Sequence, residues 1–275
     1  MNLLLSVVLI TRNEEQNLAR TLESVRALVA DGRGEIIVVD SGSTDRTVEI
    51  AKSFGAKVFV EEWKGFAAQK NSAIEKAAGE WVLSLDADEE ASSHLADVIG
   101  KELREGRGDE QKLSGYWLPR RNFFLGRWIR HGGFYPDRKL RLFRRGSGKF
   151  EERPVHETVC VDGKTFVLDR HYEIPSPDLI HHAYPTLEIY LEHMRRYADL
   201  GAEMLKDEPR WRLWLNRWFN PPLTFFYNYV VRLGFLDGSE GFLLHWNHRR
   251  YVGWKYAKAL ELSRSPRSRG DAEKS

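Results

Sequence analysis

The amino-acid sequence predicts an α/β fold: a Rossmann-like, mostly parallel sheet flanked by helices, with a helical, aromatic-rich C-terminal extension. Short apolar or β-branched runs alternate with helix-like segments through the first ninety residues. Three of these runs end in clusters of polar side chains, and five of the nine tryptophans lie beyond residue 210. The alternation of strands and helices predicts the sheet, and the polar clusters predict a site at one of its edges. The concentration of tryptophans distinguishes the C-terminal extension from the rest of the chain.

Four strands are expected in the first ninety residues. They are Leu4–Ile10, Glu35–Asp40, Lys57–Val60 and Trp81–Asp86. Helical patterns lie between them, at Glu14–Val29, Asp45–Phe54 and Phe66–Ala78, and glycines suited to C-terminal caps follow the last two. Strands that are apolar throughout are typical of a parallel sheet covered on both faces, and ligands of such sheets bind beyond the carboxyl ends of the strands.

The regular alternation stops after Glu89. Leu103–Gly115 is charged and contains glycines, which predicts a loop. Thr186–Leu205 has apolar residues at helical spacing and predicts an amphipathic helix. Pro221-Pro222 is expected to break the segment that follows. Residues 263–275 are charged and rich in serine and arginine, which predicts a disordered tail.

The composition narrows the class of protein. The formal net charge is only +2 in 275 residues, which argues against a nucleic-acid-binding protein. A single cysteine, Cys160, excludes an internal disulfide and fits a reducing compartment. The apolar run Leu3–Ile10 lacks a basic leader and a cleavage site, and no apolar run has the length of a membrane span. These features predict a cytoplasmic protein.

The motif Asp86-Ala87-Asp88 ends the fourth expected strand. Side chains two residues apart lie on one face of an extended segment, so both carboxylates can point toward one site. Two such carboxylates repel each other unless a cation lies between them. A hard divalent cation such as Mg²⁺ or Mn²⁺ suits this position and brings substrate phosphates with it. The motif therefore predicts a site for a metal ion and a diphosphate.

Four segments together resemble the family 2 glycosyltransferases of the GT-A nucleotide-diphospho-sugar transferase fold. They are Val7–Glu14, Val38–Asp45, Gln69–Asn71 and Leu85–Glu89. Two later segments, Phe150–Glu157 and Arg232–Phe242, resemble the lipopolysaccharide core β-1,4-glucosyltransferase branch of that family. The resemblance covers nearly the whole chain up to Leu262.

The resemblance implies a GT-A catalytic domain at residues 1–185, with a nucleotide-sugar half at 1–90 and an acceptor half at 115–185. Residues 186–262 would form a helical region that contacts a membrane interface. The implied activity is metal-dependent, inverting transfer of a sugar, glucose in the resembling branch, from a UDP-sugar. The implied cofactor is Mg²⁺ or Mn²⁺, and the implied acceptor is an envelope glycolipid such as lipopolysaccharide core.

The matching motifs also imply individual roles. Thr11, Glu14 and Asp40 would bind the nucleoside. Lys70 would place a cation near the base or diphosphate, at a position where the family usually has arginine. Asp86 would contact the ribose and the metal, and Asp88 would lie closer to the metal. Some GT-A enzymes add a C-terminal histidine to the metal site, which here would be one of the pair His181 and His182; we choose His182.

An inverting transfer needs a base that takes the proton of the acceptor hydroxyl. Glu157 is the first choice because it aligns with the catalytic-base region of the family. Glu152 is the second choice and Asp137 the third. For each of these carboxylates the alternative is an ordinary ion pair with one of the surrounding arginines.

Two regions indicate partners. The stretch from Arg120 to Arg153 contains eleven lysines and arginines but three acidic residues. This stretch could bind a phosphorylated glycolipid acceptor or a nucleic acid, or it could simply be a solvated face of the protein. The nucleotide-sugar motifs favour the glycolipid over a nucleic acid. The segment Trp211–Tyr256 sets aromatic beside basic residues, as at a bilayer interface, although a small core or an oligomer contact would also use them. The expected location is cytoplasmic, peripheral on the inner face of the inner membrane.

Two other functions compete with this prediction. A nucleotidyltransferase also combines a nucleotide-binding sheet with acidic metal ligands, but it would be expected to have a glycine-rich loop after the first strand, and Thr11–Glu15 has no glycine. A non-catalytic, membrane-associated scaffold with a degenerate GT-A fold would have no need of both Asp86 and Asp88. Glycosyl transfer is therefore the favoured prediction.

Overall fold

The computed structural model of the protein describes residues 3–106, 112–151, 158–168 and 176–263. The chain divides into two compact units. The first comprises Met1–Phe123 and Tyr135–Ala183, and the second comprises Phe124–Phe134 and Tyr184–Ser275. The predicted α/β fold with a helical, aromatic-rich C-terminal region is confirmed.

The first unit contains the strands and the shorter helices. Its early strands are β1 (Leu5–Thr11), β2 (Gly34–Asp40), β3 (Lys57–Val60), β4 (Trp81–Leu85) and β5 (Glu89–Ala91). The later strands are β6 (Leu113–Leu118), β7 (Arg120–Phe124), β9 (Lys139–Arg144), β10 (Gly148–Glu151), β11 (Thr158–Val161), β12 (Lys164–Val167) and β13 (Leu179–Tyr184), while β8 (Arg127–Trp128) belongs to the second unit. The helices are α1 (Leu18–Val29), α2 (Thr47–Ser53), α3 (Phe66–Glu75) and α4 (Ser93–Glu105).

The main sheet has the strand order β12-β6-β9-β4-β1-β2-β3. β1 pairs in parallel with both β2 and β4, and only β9 runs antiparallel to its neighbours β4 and β6. The order reverses beside β1, since the chain runs outward to β3 before it returns to β4. Ligands of open α/β sheets bind at the carboxyl edge next to such a reversal.

Both faces of the main sheet are covered, as the apolar strands predict. Leu18, Leu22 and Val25 of α1 pack with one face of the strands. Ala73 and Ile74 of α3 pack with the other. Because side chains alternate between the faces of a strand, consecutive residues of β1 enter different cores. The sheet is thus a rigid support for the loops at its carboxyl edge.

Most strands and helices differ from the predicted bounds by one to three residues, and two predicted segments differ in ways that have a clear physical reason. α1 begins at Leu18 and not at Glu14, because tertiary hydrogen bonds hold the residues before it in a turn. The loop predicted at Leu103–Gly115 is wrong at both ends, where α4 continues to Glu105 and β6 begins at Leu113. In α4, Leu95, Ile99 and Leu103 are buried at helical spacing, a pattern that the surrounding charges obscure.

The second unit is mostly helical, with α5 (Leu187–Leu205), α6 (Arg210–Phe225) and α7 (Gly238–Leu262). The predicted amphipathic helix is confirmed as α5, whose residues Tyr190 and Met194 are buried. The predicted break at Pro221-Pro222 is wrong, because α6 continues through both prolines and leads into a π-helical segment at Phe226–Val231. A proline keeps a helical φ but has no N–H to donate, so the helix survives at an energetic cost.

Candidate functional site

The polar clusters predicted at three strand ends share the carboxyl edge of the main sheet. Thr11 pairs with Asp40 across β1 and β2, and Leu9 pairs with Leu85 across β1 and β4. Thr11, Asp40 and Asp86 therefore follow adjacent parallel strands on the same edge. The sheet topology brings together residues that are far apart in the sequence.

Asp40 is buried, and its carboxylate organises the loop after β2. Its Oδ1 accepts hydrogen bonds from the hydroxyls of Thr11 at 2.9 Å and Ser43 at 2.5 Å. Its Oδ2 accepts from the backbone N–H groups of Gly42 at 2.9 Å and Ser43 at 2.8 Å. These four donors compensate the cost of burying the carboxylate. They also fix the loop that borders the edge.

A second set of hydrogen bonds joins the loop after β1 to the loop after β2. The backbone N–H of Asn13 donates to Ser43 Oγ at 2.8 Å, and Asn13 Oδ1 accepts from the backbone N–H of Thr44 at 2.8 Å. The backbone N–H of Glu14 donates to Thr47 Oγ1 at 2.8 Å. Asn13 has a positive φ of 55°, which asparagine tolerates better than most residues. This geometry places Glu14 at the edge before α1 begins.

Asp86 is bound by two cations. Its Oδ1 lies 2.7 Å from Lys70 Nζ, and its Oδ2 pairs with Arg141 Nη2. Burial disfavours the charged carboxylate, but the two cations outweigh burial and hold the pKa of Asp86 well below its usual range. Lys70 is itself 4 % exposed, and its ammonium lies 5.1 Å from the centroid of the Phe150 ring. The charge of Asp86 is thus compensated by the protein.

Asp88 has a different partner. Its side chain is 30 % exposed, the same as that of Asp86, and its Oδ2 lies 3.3 Å from His181 Nε2. The other ring nitrogen of His181, Nδ1, lies 2.8 Å from Asn122 Oδ1, which fixes the orientation of the ring. Burial opposes ionisation of Asp88, but His181 outweighs it and lowers the pKa of the carboxyl group. Asp88 is therefore an accessible carboxylate beside an oriented imidazole.

His182 points elsewhere. Its Nε2 lies 2.6 Å from Glu90 Oε1, and its ring stacks on Phe123 with centroids 5.4 Å apart. Its contact with Asp88 is through the backbone: the N–H of His182 donates to the backbone carbonyl oxygen of Asp88 at an N···O distance of 3.2 Å. Adjacent residues of a strand face opposite sides, so only one histidine of the pair can direct its ring to Asp88. That histidine is His181 and not His182.

Several carboxylates lie close together at the edge. Burial raises the pKa of Glu14, the carboxylates of Asp88, Asp45 and Asp86 add to this shift, and a hydrogen bond donated by Asn17 opposes it. Among the described residues, no group of three or more His, Cys, Asp or Glu side chains converges on one point. Asp88 and His181 could hold a divalent ion only with further oxygen ligands from a substrate or water.

Two arginines that were not identified from the sequence complete a buried network. Arg141 Nη2 lies 2.8 Å from Glu89 Oε1 in addition to its contact with Asp86, and Arg120 Nη1 lies 2.7 Å from the same Glu89 oxygen. Glu89 is fully buried. Arg141 interrupts the apolar run Leu140–Phe143 of β9, and a lone charge inside a buried strand requires a buried counter-charge. That interruption is the feature of the sequence from which Arg141 could have been identified.

Asp137, the third choice as base, belongs to the same network. Its Oδ2 accepts hydrogen bonds from Arg120 Nη2 at 2.6 Å and Asn122 Nδ2 at 3.2 Å, and its Oδ1 lies 3.0 Å from Lys139 Nζ. Burial raises the pKa of Asp137, but Arg120 and Lys139 outweigh burial and lower the pKa to about 2. A carboxylate with so low a pKa accepts a proton poorly at neutral pH.

The first two choices as base, Glu157 and Glu152, lie outside the described residues. The residues that flank them are defined, because Glu151 of β10 pairs with Thr158 of β11. β10 is also attached to α3, since the Asn71 side chain donates to Phe150 O at 2.9 Å and accepts from Phe150 N at 2.8 Å. Phe150 in turn lies next to Lys70.

In the described part of the chain, no helix combines the length and apolar character that crossing a membrane requires.

Comparison with known proteins identifies the domain to which this edge belongs. Residues 6–109 match the family described as "Glycosyl transferase family 2". The chain is 28% identical over 240 residues to the lipopolysaccharide core biosynthesis glycosyltransferase LpsC of Rhizobium meliloti (strain 1021), a match that covers 85% of this chain and 82% of that protein. It is 47% identical over 95 residues to an uncharacterized glycosyltransferase of Rickettsia typhi, covering 34% of this chain but only 31% of that relative.

Among solved structures, the chain is similar to S. aureus TarS 1-349 in complex with UDP-GlcNAc. The identity is 17%, the TM-score is 0.46, and the match covers 95% of this chain and 89% of that one. The family match contains both Asp40 and the Asp86–Asp88 motif. Residues 6–109 of the chain, which include this edge, therefore match glycosyl transferase family 2.

Proposed function

We propose that the protein is a family 2 glycosyltransferase, a metal-dependent, inverting enzyme that transfers glucose from a UDP-sugar to a hydroxyl of an envelope glycolipid such as lipopolysaccharide core. The observation that carries the proposal is the contrast between the two aspartates of one motif. The two side chains are equally exposed, but Asp86 pairs with the cations Lys70 and Arg141, whereas Asp88 lies beside the imidazole of His181. One carboxylate is thus held by two permanent charges, and the other lies beside a side chain that can itself bind a metal ion.

The donor site in this proposal lies along the carboxyl edge. Thr11 and Asp40 hold the loop that borders the nucleoside, and Glu14 lies at the edge with a raised pKa. Lys70 supports Asp86 and adds positive charge where the diphosphate would bind. A lysine presents a point charge and not a planar fork, so its contact with a phosphate would be less directional than that of arginine.

Mg²⁺ or Mn²⁺ fits the carboxylate and imidazole donors available at the edge, and would neutralise the charge that develops on the leaving diphosphate. Asp88 and His181 are the residues that would hold the ion. This replaces His182 by His181 as the histidine of the proposed metal site, because His182 is bound to Glu90. Asn122 supports the assignment, since its contact with Nδ1 orients Nε2 of His181 toward Asp88.

The base in this proposal remains Glu157, with Glu152 as second choice. Asp137 ranks last because Arg120 and Lys139 stabilise its charged form. The attachment of Phe150 to Asn71 supports a base in the segment that follows β10, because it keeps the start of that segment beside Lys70. The base would take the acceptor proton from the face of the sugar opposite the diphosphate.

A relative and part of the basic stretch support the proposed acceptor. LpsC of Rhizobium meliloti, named for lipopolysaccharide core biosynthesis, is a relative that this chain matches over most of its length. Arg120 and Arg141 are paired with carboxylates of the protein, but exposed residues of the same stretch, such as Arg145 and Lys149, would attract the phosphates of such an acceptor. The protein would then act as a peripheral protein at the cytoplasmic face of the inner membrane.

The first experiment tests the donor. Incubation of the purified chain with Mn²⁺ or Mg²⁺ and a panel of UDP- and GDP-sugars should release UDP from UDP-glucose, and EDTA should stop the release. Release of pyrophosphate from a nucleoside triphosphate and a sugar phosphate would instead indicate a nucleotidyltransferase. Absence of both turnover and nucleotide binding would favour the scaffold and overturn the proposal.

The second experiment tests the base. Glu157→Gln should retain donor binding, measured by calorimetry with UDP, and lose sugar transfer to a lipopolysaccharide core acceptor. Glu49→Gln, an exposed glutamate of α2, is the matched control and should transfer normally. Normal transfer by Glu157→Gln would exclude Glu157 and direct the same test to Glu152.

A further inference from the structure

Exposed apolar side chains are concentrated in one segment of the second unit. Of the 23 large hydrophobic residues that are exposed in the described part of the chain, 15 lie between Trp211 and Trp246. Trp211, Trp218 and Phe219 are 65%, 60% and 59% exposed. Single exposed apolar residues are ordinary, but a concentration of this kind indicates a surface that contacts something else.

The residues on α6 form a stripe without charge. At about 100° per residue, the side chains of its exposed apolar side span an arc of about 140°. This charge-free stripe consists of Trp211, Trp214, Leu215, Trp218, Phe219 and Pro222, all exposed. Leu213, on the opposite side of α6, is buried in the second unit, and so is Pro221, which lies next to Trp214 at one border of the stripe. The stripe is therefore the side of the helix that its own unit leaves uncovered.

Arginines lie on both sides of the charge-free stripe. Arg210 and Arg217 flank one side and Arg212 flanks the other, where it forms an exposed ion pair with Glu208 at 3.2 Å. Arg217, Arg232 and Arg249 lie over the rings of Trp218, Tyr227 and Trp246, at 5.8, 5.8 and 4.5 Å from their centroids. No acidic residue occurs between Trp211 and Leu236. The exposed surface is apolar at its centre and positive at its border.

Three acids close to this segment in sequence have partners within the protein. Glu208 pairs with Arg212 on one border of the stripe. Asp237 is buried and accepts hydrogen bonds from the backbone N–H groups of Arg130 and His131, and Glu240 lies 3.5 Å from Arg127. The positive charge of Arg210 and Arg217 on the other border is thus available to an anionic partner.

We infer that the charge-free stripe of α6 and its bordering arginines insert into the headgroup region of an anionic lipid bilayer. Tryptophan rings suit the boundary between headgroups and acyl chains, and arginines bind lipid phosphates while their stems remain against the apolar layer. A second copy of the chain fits less well, because a symmetric contact would bring the same arginines together without acids between them. The inference rests on the proposed function only for the reason why the enzyme would need a membrane.

The test uses the full-length protein and flotation with two kinds of vesicle, phosphatidylcholine alone and phosphatidylcholine mixed with phosphatidylglycerol. The protein should float with the anionic vesicles, and its tryptophan emission should shift to shorter wavelength. High salt should weaken the binding, because part of the attraction is between arginines and phosphates. Failure of the unmodified protein to bind anionic vesicles at low salt would overturn the inference.

The variants locate the surface. The double variant Trp214→Glu and Trp218→Glu should reduce binding at least about tenfold, because two charges would enter the apolar layer. Met204→Glu changes an exposed apolar residue of α5 that is outside the stripe, and it should bind like the unmodified protein. Circular dichroism of each variant verifies that it is folded. Unchanged binding by a folded double variant would overturn the inference.

Two further outcomes separate this inference from the proposed function. Release of UDP from UDP-glucose is measured without vesicles, so an active enzyme that ignores vesicles overturns the membrane surface and leaves the transferase proposal intact. Light scattering measures the oligomeric state. A dimer that the double variant dissociates, in a protein that does not bind vesicles, would assign the stripe to a second copy and also overturn the inference.

Discussion

Arginines at the carboxyl edge of the sheet are buried against carboxylates, whereas arginines along α6 are exposed beside tryptophans. Arg141 contacts Asp86 and Glu89, and both its charge and theirs are compensated within the first unit. Arg217 has the ring of Trp218 beside it in an exposed position. The difference indicates two uses of one residue type: the first holds a site in shape, and the second is available to a partner.

The largest expected effect concerns the buried network. Arg141→Met would leave the carboxylates of Asp86 and Glu89 without their shared cation, and we expect the free energy of unfolding to fall by about 3–5 kcal/mol. Urea unfolding measures the change. Arg26→Met removes a surface ion pair with Glu23 and should cost less than about 1 kcal/mol. Equal costs for the two variants would contradict a structural role of Arg141.

The second expected effect separates the two aspartates of the motif. Asp88→Asn should reduce metal-dependent release of UDP at least about a hundredfold, because the accessible carboxylate would no longer bind the ion. Its effect on the free energy of unfolding should be smaller than that of Arg141→Met. Asp97→Asn changes an exposed residue of α4 and is the control. Unimpaired turnover by Asp88→Asn would exclude Asp88 from the metal site.

The third expected effect is a pH dependence that arises from Asp137. Its pKa is about 2 in the folded protein and 3.8 as a reference value, so its ion pairs stabilise the fold by about 2 kcal/mol above pH 4. This stabilisation should be lost as the pH falls from about 4 to 2, because the folded-state pKa is the lower one. The difference in unfolding free energy between the unmodified protein and Asp137→Asn should shrink over that range. A difference independent of pH would refute the assignment.

The smallest expected effect belongs to the exposed stripe. Trp218→Ser should change the free energy of unfolding in solution by less than about 0.5 kcal/mol, because Trp218 is 60% exposed. Phe124→Ala removes a ring that is 1% exposed and should cost about 3–5 kcal/mol. Comparable costs in urea unfolding would show that Trp218 is part of a core and would weaken the contrast between the two regions.

Much of the first unit could be predicted from the sequence, since runs such as Ile36–Val39 are apolar throughout and their ends are marked by polar residues. The prediction of His182 in place of His181 shows where this reasoning ends. The two residues are adjacent on β13, and a one-residue change of register exchanges the faces to which they point. His181 pairs with Glu89 of β5, and Asp88, which lies in the turn before β5, directs its carboxylate to the ring of His181. Register of this kind is a tertiary property.

The second unit was harder to predict for a related reason. Pro221-Pro222 has a clear local preference against a helix interior, but α6 continues through it because Pro221 is buried by neighbouring residues. The start of α1 likewise depends on Thr47, which is 33 residues from Glu14. Local patterns predict which elements exist, and distant contacts decide where they begin and end.

The consecutive residues Lys70 and Asn71 of α3 have a mechanical consequence. One binds the carboxylate of Asp86, and the other binds the backbone of Phe150 as a neighbouring strand would. The separation between the motif that would contact the donor and the strand that leads to the proposed base is thus set by two adjacent residues of one helix. Reacting groups that must align within fractions of an ångström benefit from such a rigid spacer. A change in the length or pitch of α3 would alter both sides of the reaction together.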